Sequence, residues 1–105
     1  MSGGGGDYGG VRPDKKIPCD QLVFQAILQS PEPTVVGQLK KDDILEVIAA
    51  GDTGPVNAVH SEHGIAGSIV SNISNLLDCL TNGFEYSATV LESQGGRVTV
   101  EVRPK

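Results

Sequence analysis

The sequence predicts a mostly β (α+β) fold: a small antiparallel β-barrel of about six strands, with one helix between strands four and five, behind a disordered Gly-rich N-terminal tail. Three observations carry this. The two C-terminal segments alternate apolar and polar residues with the period of a half-buried strand. The earlier apolar runs are short and are separated by Gly, Pro and Asp turn signals. Only one segment, 71–83, repeats its apolar residues at helical spacing.

The elements follow in order. Residues 1–16 open with MSGGGGDYGG, where glycine adds no packing and loses the most entropy on ordering, so they read as a disordered tail. Tyr8 and Arg12 are its candidate anchors for a partner. Residues 17–105 form the single domain expected of 105 residues. LVFQAILQ places Leu22, Phe24, Ala26 and Leu28 on one parity and reads as a largely buried strand. SPEPT ends it, because proline cannot continue a central strand. LKKDD is a polar turn into ILEVIAA, whose two faces are Ile44/Glu46/Ile48 and Leu45/Val47/Ala49. GDTGP turns the chain into VNAVH, and HSEHG turns it again into IAGSIV.

SNISNLLDCLTNG then repeats Ile73, Leu76, Leu77 and Leu80 along one helical face. Ser71 or Asn72 can cap its start, and Asn82-Gly83 its end. FEYSATVLE puts Phe84, Tyr86, Ala88 and Val90 on the core parity. RVTVEV does the same with Val98, Val100 and Val102. SQGG joins the two, and its glycines supply the positive φ that a tight hairpin demands.

Composition bounds the function. The apolar fraction is 38%, with no Trp, two Phe and two Tyr, so the core must be built from Val, Ile, Leu and Ala. A net charge of −5 and a pI near 4.8 argue against broad binding to nucleic acid or an anionic membrane, both of which need a basic footprint. No apolar run reaches the roughly 20 residues of a membrane helix, and no signal-peptide core is visible. Cys19 and Cys79 do not look like a secreted disulfide scaffold, which usually carries more cysteines in closer spacing. A cytoplasmic location is therefore expected. Cys79 reads as a small core hydrophobe, and Cys19 as a thiol near the start of the fold with no base beside it.

Chemistry-bearing residues are few. HSEHG holds both histidines, with a carboxylate between them. A catalytic zinc wants three protein ligands, and His60, Glu62 and His63 are the candidates. The flanking strands make a solvated hairpin turn the simpler reading, with Gly64 in the left-handed region. Asp42-Asp43 could hold a cation, but such a pair is usually a turn. GGGG is not a phosphate loop, since no strand precedes it and no Gly-Lys-Ser/Thr follows. No convergent catalytic set is visible, so the chain is not expected to be an enzyme, and no cofactor is implied.

One stretch resembles a known family. From Val56 to Arg103 the chain runs through Asn57-Ala58, then Gly64-Ile65-Ala66-Gly67, a helix with Leu76-Leu77 ending at Gly83, and two alternating strands closing on VEVRP. This order resembles the C-terminal half of HIRAN domains and covers a little under half of the chain. HIRAN domains precede the Asn-Ala pair with a Pro-x-Asp-type loop, where this chain has GDTGPV. The resemblance implies recognition of single-stranded DNA ends, with Asn57 in the carried-over motif. The basic residues available for such a site are Lys40, Lys41, Arg97 and Arg103, joined by Lys105 and by Arg12, Lys15 and Lys16. Arg97 and Arg103 share the solvent parity of the last strand and are expected to form one stripe. A base would also need an aromatic platform.

The residues themselves favour a small non-catalytic module that binds a protein partner through an exposed strand edge. HIRAN-like binding of DNA ends is the alternative, and a small-ligand or metal-binding barrel the second.

Overall fold

The computed structural model describes residues 16–51 and 54–105. The expected tail lies outside them except for Lys16, as do Tyr8, Arg12 and Lys15. Six strands form one antiparallel sheet: β1 Phe24–Ile27, β2 Ile44–Ala49, β3 Val56–His60, β4 Gly64–Ile69, β5 Tyr86–Gln94 and β6 Arg97–Pro104. Their spatial order is β1-β6-β5-β2-β3-β4. The helices are a 3-10 turn Cys19–Gln21, α1 Pro33–Val36 and α2 Ile73–Thr81. This is the mostly-β, barrel-like fold that the alternation predicts.

The sheet curls until its two outermost strands meet. Just past β1, Gln29 and Ser68 of β4 exchange N–H···O bonds of 2.8 Å in both directions. Glu32 N–H then donates to Ala66 O at 2.9 Å. Gly67 makes this approach possible, because a Cβ there would sit 3.0 Å from Gln29 O and 3.0 Å from Leu28 Cβ.

The inward parity of every strand meets in one core. Leu22, Leu45, Val56, Val90, Val98, Val100 and Val102 are all fully buried, and no polar or charged residue is buried among the described residues. On β2 the Leu45/Val47 face is the inner one, which leaves Ile44, Glu46 and Ile48 outside. Gly95 and Gly96 carry the β5–β6 turn at φ of 62° and 84°, as the hairpin requires. A bulge between Val90 and Glu92 lets β5 carry one residue more than β6 opposes.

Four local expectations change. First, SPEPT does more than break a strand. Pro33 opens the short helix α1, whose Val35 and Val36 are buried, since proline at a first helical position loses no hydrogen bond. Second, α2 has no side-chain N-cap. Asn72 instead turns the chain in the left-handed region, at φ 51°, and the C-terminal end closes as expected, with Gly83 at φ 93°. Third, β5 starts only at Tyr86, so Phe84 is not on a core parity. It sits in the loop after α2, its N–H bonded to Cys79 O at 3.0 Å, and it is 44% exposed. Fourth, Cys19 and Cys79 are not separate thiols but form a disulfide across a sequence separation of 60. Cys79 is buried as expected, while Cys19 is partly exposed at the 3-10 turn.

Candidate functional site

β1 is an outermost strand, and its two sides differ. Leu28 N–H donates to Val98 O at 2.9 Å, whereas both main-chain groups of Gln29 face Ser68. Main-chain groups of successive residues in an antiparallel strand point to opposite sides. Gln25 and Ile27 share the parity of Gln29, so their N–H and C=O groups point away from β6. No strand pairs with them there among the described residues. A local hydrogen bond runs from Gln29 Nε2 to Ile27 O at 3.3 Å. Beside the edge lies a cavity of about 470 Å³ lined by Gln25, Ile27, Gln29, Ser71 and Arg97 among others. Apolar side chains flank it: Val23 is 44% exposed and Val70, the residue before Ser71, is 54% exposed.

The basic residues divide into two groups. A second cavity of about 670 Å³ shares Gln25 and Thr99 with the first and is lined by Lys40, Lys41 and Glu92. The chain therefore brings Lys40, Lys41 and Arg97 to one continuous concave surface. Arg103 does not join them. It pairs in register with Ser87 while Arg97 pairs with Gln94, which puts the two arginines about 20 Å apart at strand rise. Glu101 lies between them and approaches Arg103 at 3.6 Å. The expected Arg97–Arg103 stripe is thus interrupted by a carboxylate. Asn57 is elsewhere too, half-buried on β3, accepting a bond from Ser68 Oγ at 3.2 Å. Lys105 is held by Glu46 at 2.7 Å, a bond that raises its pKa, and Lys16 by Asp78 at 2.8 Å.

No aromatic ring lines either cavity. Tyr86 is buried, with its hydroxyl donating to Cys19 O. Burial first, and the nearby Asp20 second, push its pKa up. Phe84 is exposed, but beside Glu85 and Lys105, at the end of β6 opposite Arg97.

HSEHG is the hairpin turn between β3 and β4. His60 closes it from inside: its Nδ1 accepts the N–H of Glu62 at 3.0 Å and of His63 at 3.3 Å. Its Nε2 faces Asp43 Oδ2 at 3.9 Å. The His63 ring packs on that of His60 with centroids 4.5 Å apart. Glu62 is exposed. Among the described residues no three His, Cys, Asp or Glu side chains converge as a metal site. Asp43 is used locally as well, since its Oδ2 accepts Lys40 N–H at 2.9 Å and organises the turn before β2.

The sequence pattern placed the strands but not the β1 edge, whose openness depends on which strand ends outermost. In comparisons with known proteins the chain matches no family model, no curated protein and no solved structure. Among the described residues no helix is long and apolar enough to cross a membrane.

Proposed function

We propose that the chain is a small non-catalytic module that binds a protein partner by taking an extended segment of it as an added strand on β1. The observation that carries this reading is the outward-facing N–H and C=O groups of Gln25 and Ile27, bordered by exposed Val23, Ile27 and Val70. Such an edge supplies affinity through main-chain bonds and specificity through alternate side chains. The edge side chains carry no charge, so the partner strand is expected to be uncharged and β-branched at the matching positions.

The test is selection of a random displayed-peptide library on the purified chain, followed by affinity measurement on the selected peptides. Ile27→Pro removes one outward N–H at a place where an edge strand tolerates proline. It should weaken binding about tenfold or more, in line with the loss of one well-made hydrogen bond, while Ile48→Ser on the opposite outer face should leave it unchanged. Equal binding by Ile27→Pro and the parent would overturn the reading.

The second reading is HIRAN-like binding of single-stranded DNA ends, favoured by the meeting of Lys40, Lys41 and Arg97 on one concave surface. Fluorescence anisotropy with short labelled single strands at low salt, where electrostatics is strongest, distinguishes it. End-dependent binding lost in Lys40→Glu supports it, and no binding excludes it. As to location, the cytoplasmic expectation treats the two cysteines as unpaired. Their pairing weighs toward an oxidising compartment.

A further inference from the structure

We infer that the Cys19–Cys79 disulfide is a redox-sensitive latch that fixes residues 16–22 across α2. The bond joins the partly exposed 3-10 turn to the buried face of the helix. The other ties between the two are polar and exposed: Lys16 with Asp78 at 2.8 Å, Ile17 N–H to Asn75 Oδ1 at 2.8 Å, and Asn75 Nδ2 to Ile17 O at 3.2 Å. Exposed ion pairs and surface hydrogen bonds add little, so the covalent bond dominates the tie between the turn and α2, while buried Leu22 and the Tyr86 hydroxyl on Cys19 O hold the end of the segment that runs into β1. Asn75 Nδ2 also lies 3.6 Å from Cys79 Sγ. An N–H donor thus already faces the sulfur that would leave on reduction, and hydrogen bonding favours the charged form of a leaving thiolate.

The opening step is thiol–disulfide exchange with a dithiol reductant. One thiolate of the reductant attacks Sγ of Cys19, the more exposed partner, and the S–S bond breaks. Cys79 departs as a thiolate and takes up a proton. The second thiol of the reductant then displaces Cys19 from the mixed disulfide. Two electrons pass from the reductant, which ends as a disulfide, and both cysteines end as thiols. The latch borders the strand edge on two sides: residues 16–22 run directly into β1, and Ser71, at the start of the turn into α2, lines the edge cavity. That consequence rests on the strand-edge reading, whereas the latch itself does not.

The experiment is hydrogen exchange read by mass spectrometry on the full chain, before and after dithiothreitol, with the Cys79→Ala variant alongside. Amides of 16–22 and 73–83 should exchange at least about tenfold faster after reduction and in the variant, over and above any uniform change across β2, β5 and β6. Unchanged protection everywhere, or two free thiols before any reductant is added, would overturn the latch. So would an equal loss of protection in every element with no excess at 16–22 and 73–83, which would make the bond only a staple of the whole fold. Peptide capture at β1 that fails in both redox states removes the edge reading and leaves the latch standing, and unchanged exchange does the reverse.

Discussion

Gly67 shows how one missing side chain lets the sheet close. Its neighbours across the bridge are Gln29 O and Leu28 Cβ, each 3.0 Å from where a Cβ would stand. Both belong to backbone or core, so neither can swing aside. Gly67→Val should therefore destabilise the fold by about 1–3 kcal/mol through overpacking. That amounts to a drop in Tm of about 4–8 °C per kcal/mol for a domain of this size, read by a thermal melt. Tyr86 is the other single residue with a long reach. Its ring fills the core and its hydroxyl satisfies the Cys19 carbonyl. Because its pKa is raised in the fold, the folded chain binds the phenolic proton more tightly than the unfolded chain. The stability this adds is complete below the unfolded value of about 10 and is lost as pH rises through the folded one. Denaturant melts across that alkaline window should show a decline that Tyr86→Phe removes.

At the scale of the element, the β3–β4 hairpin rests on an imidazole. Two amides of the turn share His60 Nδ1 as their acceptor. His60→Ala should cost about 1 kcal/mol, the usual net worth of such a bond. His60→Asn, whose short carbonyl can accept from the same turn, should recover part of it, both measured from denaturant midpoints. The hairpin was legible in HSEHG and Gly64, because the flanking alternation required a turn there. The role of His60 was not, since its acceptor use depends on where the ring lies over the turn. α1 is not legible for a related reason: PTVV is too short for periodicity to show, and its helix is decided by Val35 and Val36 finding the core.

Across the whole molecule, the disulfide is the longest covalent tie, closing a loop of 60 residues. In the loop-entropy account such a cross-link is worth about 4 kcal/mol, a large share of the about 5–15 kcal/mol that holds a typical domain. A Cys19→Ala, Cys79→Ala double variant should therefore melt more than about 10 °C lower than the parent, and reductant should lower the parent's Tm but not the variant's. A parent whose Tm ignores reductant would mean that the bond contributes nothing. The surface divides as well. The acidic charge is spread over the outside, while Lys40, Lys41 and Arg97 gather near the β1 edge. A partner approaching that edge meets Lys40, Lys41 and Arg97 together with Glu92, on a chain of net charge −5.

The sequence by itself determined the strands, the one long helix, the turn positions and the composition of the core. Alternation, helical spacing and glycine at positive φ are local properties, and a chain that carries them has few other ways to bury Val, Leu and Ile. Tertiary structure alone decided which strand lies outermost, that Gln29 and Ser68 close the sheet, that Arg97 joins Lys40 and not Arg103, and that Cys19 reaches Cys79. Each of these depends on how distant segments meet in space. Two cysteines 60 residues apart carry no local sign of pairing, because only the packing of α2 against the 3-10 turn brings their sulfurs within bonding distance.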